Sequence, residues 1–394
     1  RRCLETETIG HDAAAAITAA TAPPGGVATL ILPADVSWSE GAAPSAAQAE
    51  PLPASDPDEA TVAGVVDVLR SSDSCGFLLG GRALVGSAPS TVQQIAAATG
   101  VAVFHETFPA RVERGVGRPE FARVNYRGDQ ALEQLAPVEH LILVEADEPV
   151  AFFAYPDRPG RLVPPGTTCH RLTSPGEHSA VALAVVAEAL GVAASAPGPP
   201  AAVEHPRPSG ALDVHSFARA VAATLPDSAI VSDESTTSGI FLQHETQDCA
   251  PHDWLTLTGG AIGQGMPVAT GAAVACPDRP VLALQADGSA MYTIQSLWTQ
   301  ARESLDVTTV LLNNGSYAIL NLELAAVGAA ADGAAARSML DLRRPDLDFV
   351  SISEGMGVPA VRVDSADGLC DALDSAYHDP GPHLIEAMIP SIAG

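Results

Sequence analysis

Apolar and polar positions along the chain follow a helix–strand rhythm. From Thr61, TVAGVVDVLRSS carries helical spacing, CGFLLGG reads as a buried strand ending in glycines, and APSTVQQIAAATG as a helix with a Ser/Thr start and a Gly stop. VAVFHET and HLILVEA predict further strands. The rhythm resumes at Ala211. LDVHSFARAVAATLP predicts a helix, SAIVSDES a strand, and TGGAIGQGMPVATGAAVAC a glycine-rich entry into an apolar helix. PVLALQ, VTTVLLNN and HLIEAMIP predict strands, with MYTIQSLWTQARESL a helix between the first two. Short apolar strands alternating with helices predict an α/β chain of parallel-sheet domains, with helices on both faces of each sheet.

Residues 12–36 predict a helix, a Pro–Gly turn and a strand, VATLILP, followed by ADVSW. One helix and one strand cannot bury their own faces. This stretch is therefore expected to be the end of a domain whose body lies outside the chain. SEGAAPSAAQAEPLPASDPDEA and GVAASAPGPPAAVEHPRPSG read as linkers by composition. The expected division is residues 1–45, 46–195 and 205–394.

Composition removes several classes of chemistry. The chain has 394 residues, enough for two or three domains, and 47% of them are hydrophobic, ample for buried cores. The net charge is -27, and all 20 basic residues are Arg. Without Lys there is no Schiff-base amine and no phosphate-loop lysine. The acidity argues against nucleic acid or an anionic membrane as partner. A lysine-free acidic surface suits a salt-rich cytoplasm and is equally produced by GC-rich codon usage. The expected location is cytoplasmic. Six Cys lack paired spacing, which argues against a disulfide framework or a zinc site. No apolar run approaches membrane-spanning length.

The chemistry concentrates in LQADGSAMYTIQSLWTQARESLDVTTVLLNNGSY, from Leu284 to Tyr317. Asp287 follows one strand and Asn314 closes the next. A right-handed crossover brings these strand ends to one sheet edge, where ligands of α/β proteins sit. The intervening helix shows a stripe of Met291, Ile294, Leu297, Trp298, Ala301 and Leu305. A carboxylate and an amide oxygen suit Mg²⁺, which shares its octahedron with phosphates and water. Gly288 and Ser289 open a helix whose N-terminus favours phosphate. The purely structural alternative makes Asp287 a helix cap and Asn314 a turn residue. TGGAIGQGMP allows close backbone approach to a ligand, but Gly263–Gln264–Gly265 lacks the third glycine of the dinucleotide fingerprint, which weakens a dehydrogenase reading. SDESTTSG offers hydroxyls at a strand end, or simply a turn.

In this order the three motifs resemble the diphosphate-binding domain of thiamine diphosphate enzymes, in the group containing acetolactate synthase and benzoylformate decarboxylase. The resemblance covers nearly the whole chain. It implies that residues 1–45 are the tail of a pyrimidine-binding domain, 46–195 the central domain and 205–394 the diphosphate domain. It implies that Asp287, Asn314 and the carbonyl of Ser316 hold Mg²⁺, and that Gly288, Ser289 and Tyr317 line the diphosphate with Thr236 and Thr237 donating to it. Ile262 matches the apolar wedge that bends the cofactor, and the Gly260 carbonyl would accept from its aminopyrimidine. Ala286 departs from the usual Gly and fits only at negative φ. The glutamate that activates the cofactor is expected in the part of the pyrimidine domain outside this chain, so no catalytic residue is assigned. Glu106 in FHETFPARVERGVGRP is read as structural, and His105, His140 and His170 as satisfied loop or strand-end residues.

HLILVEADEPVAFFAYPDRPGRLVPPGTTCHRL lacks the Arg cluster by which acetolactate synthases hold FAD and looks more like the benzoylformate decarboxylase central domain, so the resemblance implies that FAD is not used. The resemblance implies decarboxylation of a small 2-oxo acid with carboligation, as in an acetolactate synthase large subunit, by a homodimer or homotetramer in full-length form. The alternatives are a non-ligating, benzoylformate decarboxylase-like enzyme and a non-catalytic half subunit.

Overall fold

A computed structural model describes residues 1–41, 53–192, 203–329 and 333–392. The centres of both predicted linkers, with the expected boundaries at residues 45 and 195, lie outside the described residues. The chain divides into two compact units. The first comprises Arg1–Glu106, Phe121–Val150 and Arg161–Ser195; the second comprises Thr107–Glu120, Ala151–Gly160 and Ala196–Gly394.

The first unit is built on a five-stranded parallel sheet in the order Ala122–Arg123, Ala102–His105, Cys75–Leu79, His140–Val144 and Thr168–Thr173. Cys75–Leu79 is buried at every position, as a central parallel strand covered on both faces requires. Asp58 caps the helix Glu59–Ser71 by accepting from Thr61 N at 2.8 Å. Gly100 ends the helix Ala88–Thr99 at φ 76°, a left-handed conformation that glycine adopts without a Cβ clash. The expected strand VATLILP does not form. Only a single parallel bridge, Arg2 to Ile31, is made there, and Val27, Ile31 and Leu32 stay exposed. A strand needs a ladder partner, and among the described residues only Arg1–Cys3 run beside it. ADVSW forms the short helix Ala34–Trp38.

The second unit carries a seven-stranded sheet in the order Ala360–Val363, His383–Met388, Val307–Asn313, Val281–Ala286, Ile230–Glu234, His252–Leu255 and Val112–Arg114. All neighbours are parallel except the last pair. Successive strand residues point to opposite faces, and the core follows that rule. Leu282, Leu284, Val310, Leu312 and Ile385 pack with the helices Val214–Thr224 and Ala366–His378. Their neighbours Val281, Ala283, Val307, Leu311 and Leu384 pack on the other face, against Ala269 and Ala273 or against Leu297 and Phe349. The predicted helix between the third and fourth of these strands forms as two pieces, Asp287–Thr293 and Ser296–Glu303. Ile294 and Leu297 of its stripe are buried, whereas Met291 and Trp298 are exposed. Among the described residues no helix is long and apolar enough to cross a membrane.

Candidate functional site

The strands Val281–Ala286 and Val307–Asn313 pair in register and end together at the carboxyl edge of the second unit's sheet. Asp287, 2% exposed, follows the first. Its Oδ2 accepts from Asn314 N at 3.0 Å and Gly315 N at 2.7 Å, and its Oδ1 accepts from Gly288 N at 2.8 Å. The carboxylate thus joins two loops that are adjacent in the sheet and distant in sequence, which a simple helix cap does not do. Burial raises the Asp287 pKa, partly offset by these backbone donors. Asn314 Oδ1 accepts from Ser316 N at 2.9 Å, and the Ser316 carbonyl from Ala318 N at 2.9 Å.

Each of these oxygens has two acceptor positions. After the hydrogen bonds above, Asp287 Oδ1, Asn314 Oδ1 and Ser316 O each retain one. Among the described residues no three His, Cys, Asp or Glu side chains converge. A metal at this edge would therefore be held by one carboxylate, one amide and one main-chain carbonyl. By chemistry that donor set is hard and oxygen-only, the kind that suits Mg²⁺.

Gly288 begins the helix beside it. A Cβ there would lie 2.5 Å from Tyr317 Cε1, so only glycine admits the Tyr317 ring. Ser289 Oγ is buried and accepts from Gln285 Nε2 at 2.6 Å. Ala286, whose predicted tolerance required negative φ, has φ −79°. Thr236 and Thr237 open a 3-10 turn after the neighbouring strand Ile230–Glu234, with Thr236 at φ 50°. This turn packs against the strand Val281–Ala286 and the helix Ala318–Ala326 that follows Tyr317. The chain reversal between Ile230–Glu234 and Val281–Ala286 is the sheet's switch point, where α/β crevices open.

The glycine-rich loop lies at the same edge. Gly260 adopts φ 67° and Ile262 is 41% exposed. The residue that anchors this loop is Glu234, which the sequence motifs did not single out. It is buried, and its two oxygens accept from Gly263 N and Gly265 N, each at 2.6 Å. Gln285 Nε2 donates to it at 3.0 Å. A carboxylate closing an apolar strand was the available signal. Thr293 Oγ1 donates to the Gly263 carbonyl at 3.0 Å and ties the loop to the helix opened by Asp287. The structure therefore brings Thr236, Thr237, Gly260, Ile262, Asp287, Gly288, Ser289, Asn314, Ser316 and Tyr317 to one sheet edge.

Glu106 lies in the first unit, where burial and the nearby Asp147 charge push its pKa to about 7. Its carboxyl packs on Gly80, which has no room for a Cβ. His105 Nδ1 pairs with the Glu106 carbonyl at 2.7 Å, and His140 pairs with His170 across adjacent strands at 3.0 Å. Burial, with His140 nearby, lowers the His170 pKa.

Residues 236–387 match the family model for the thiamine pyrophosphate enzyme C-terminal TPP binding domain. A Mycobacterium tuberculosis protein named "Putative acetolactate synthase large subunit IlvX" is 50% identical over 396 residues, a match spanning 100% of this chain and 76% of that protein. Benzoylformate decarboxylase of Pseudomonas aeruginosa is 32% identical over 196 residues, 50% of this chain and 35% of that protein. In fold, the chain is similar to the thiamine diphosphate-dependent 4-hydroxybenzoylformate decarboxylase of Rhodococcus jostii RHA1, with a TM-score of 0.79 at 24% identity over 100% of this chain and 76% of that one.

Proposed function

This chain belongs to the thiamine pyrophosphate-dependent enzymes of the acetolactate synthase and benzoylformate decarboxylase group, and we propose that it binds thiamine diphosphate with Mg²⁺ to decarboxylate a small 2-oxo acid and ligate the product to a second carbonyl compound. The observation that carries the metal reading is the Asp287 junction, with its three oxygens each keeping one acceptor position. In this proposal Asp287, Asn314 and the Ser316 carbonyl hold Mg²⁺. Thr236, Thr237, Gly288, Ser289 and Tyr317 orient the diphosphate. Ile262 and the Gly260 carbonyl would hold the remainder of the cofactor, the carbonyl as an acceptor for its amino group. When bound, thiamine diphosphate supplies an electron sink for the carbanion left by CO₂ loss. Glu234 holds the glycine-rich loop in place while these contacts form.

The division at residues 1–45, 46–195 and 205–394 into pyrimidine-domain tail, central domain and diphosphate domain belongs to the same proposal, as do a homodimeric or homotetrameric assembly and a cytoplasmic location. Flavin has no part in it, and stoichiometric flavin absorbance in the purified protein would overturn that point. Decarboxylation without ligation is the second reading, favoured by the match to benzoylformate decarboxylase. Titration calorimetry tests the core of the proposal. Thiamine diphosphate is expected to bind when Mg²⁺ is present and to fail in excess chelator; metal-independent binding would overturn the Asp287 assignment. Product analysis after feeding pyruvate or benzoylformate separates ligation from simple CO₂ release.

A further inference from the structure

Two stretches that belong by sequence to the first half of the chain, Thr107–Glu120 and Ala151–Gly160, pack within the second unit. They bring aromatic residues to the glycine-rich loop. Phe108 and Phe152 meet edge to face, with ring centroids 5.1 Å apart. Both rings lie 3.8 Å from where a Cβ on Gly260 would stand. Gly260 neighbours Ile262, so the pair borders the proposed cofactor wedge. Phe152 is 39% exposed. Three residues beyond Phe152 the same segment is tied down, where Tyr155 Oη donates to Glu323 Oε2 at 2.5 Å on the helix Ala318–Ala326. The aromatic pair is thus a fixed apolar wall beside the loop.

We infer that Phe108 and Phe152 are specificity-determining residues that receive the side chain of the 2-oxo acid and select one that is flat, apolar and bulky over a methyl group. Edge-to-face aromatic walls contribute beyond the area they bury, and an apolar pocket discriminates by how much of the substrate side chain fills it. Ile262, the proposed cofactor wedge, is 41% exposed two residues beyond Gly260. The inference rests on the thiamine diphosphate reading above.

The test uses binding rather than turnover, with the whole chain loaded with thiamine diphosphate and Mg²⁺. Calorimetry compares mandelate and lactate, unreactive 2-hydroxy acids with a phenyl and a methyl side chain. The unsubstituted protein is expected to bind mandelate at least about tenfold tighter than lactate. Phe152→Ala and Phe108→Ala should each lower that ratio about tenfold while lactate affinity stays within about twofold. Phe152→Leu, the gentler change, should keep an intermediate ratio, and it also answers the question if an alanine variant fails to fold. Cofactor binding with an unchanged ratio in the variants overturns this inference alone. A variant that alters sedimentation of the chain but not the ratio assigns the wall to an interface, and overturns it equally. Failure of the unsubstituted chain to bind thiamine diphosphate overturns the cofactor reading, and this inference with it.

Discussion

Replacing Asp287 with alanine strips the acceptor from the N–H groups of Gly288 and Asn314, in a position where the carboxylate is 2% exposed, while Gly315 N keeps Asn313 Oδ1 at 3.1 Å. A buried donor left unpaired costs about 1–3 kcal/mol, so the two donors together cost about 2–6 kcal/mol. Burial already weighs against the ionised carboxylate, and losing that charge returns part of the cost. A net loss of about 2–4 kcal/mol is expected, which for a unit of this size lowers the melting midpoint by about 5–15 °C. Asp287→Asn keeps one acceptor oxygen but turns an amide N–H₂ toward other donors, and should fall between. Scanning calorimetry of the cofactor-free chain measures the structural part. The same scan with thiamine diphosphate and Mg²⁺ measures the ligand part, because a ligand that binds only the native state raises the midpoint. That ligand-induced rise should vanish in both variants.

The pH dependence has a definite sign. The Asp287 pKa is raised above its ordinary 3.8, so the folded state favours the protonated form. Its contribution to stability is full below 3.8 and is lost as pH climbs through the raised value. A cation on Oδ1 favours the ionised form, so metal affinity should strengthen over that rise. A loss under about 0.5 kcal/mol in Asp287→Ala, or an undiminished ligand-induced rise in its midpoint, would refute the reasoning.

Glu106 gives a second titration: its folded pKa is raised from 4.5 to about 7, so its contribution is full below 4.5 and lost as pH rises to about 7. That interval bounds the effect at about 3 kcal/mol, and Glu106→Gln should therefore gain stability over the parent at pH 8 but not at pH 4 in urea unfolding; an equal difference at both would contradict it. Gly288→Ala should lose about 1–3 kcal/mol, because its Cβ meets the Tyr317 ring at 2.5 Å. Adding Tyr317→Ala should cost less than the sum of the single changes, and strict additivity in denaturant melts would show that the two do not touch. Glu234→Gln replaces an acceptor of the Gly263 and Gly265 N–H groups with a donor. Amide exchange across residues 258–265 should accelerate while the sheet core stays protected, and unchanged exchange would remove Glu234 as the anchor.

What the sequence disclosed follows from which interactions are local. Val281–Ala286 was readable because a strand covered on both faces must be mostly apolar, as Val281–Leu284 is. The end at Gly100 was readable because a left-handed residue prefers glycine. The tolerance of Ala286 reduced to the sign of one dihedral. VATLILP was misleading because strand propensity holds only where a neighbour supplies a ladder. The exposure of Met291 and Trp298 likewise depends on what packs against the helix, which its spacing does not contain. Glu234 was missed because its partners lie about thirty positions downstream, and Val112–Arg114 because its partner strand, His252–Leu255, lies far along the chain.

That last pairing bears on how the protein can be cut. A recombinant fragment started at residue 205 would contain six of the seven strands and omit Val112–Arg114. His252–Leu255 would become an open edge, with main-chain groups free to recruit strands from other molecules. Asp253 would lose the Arg111 partner it holds at 2.6 Å, and the Thr256 hydroxyl its acceptor on Pro109. Such a fragment should be sticky in solution even though its own core is complete. A serviceable truncation would have to graft the 107–120 stretch back beside that edge, so the protein's modular seam is a path through three dimensions and not a position in the reading frame.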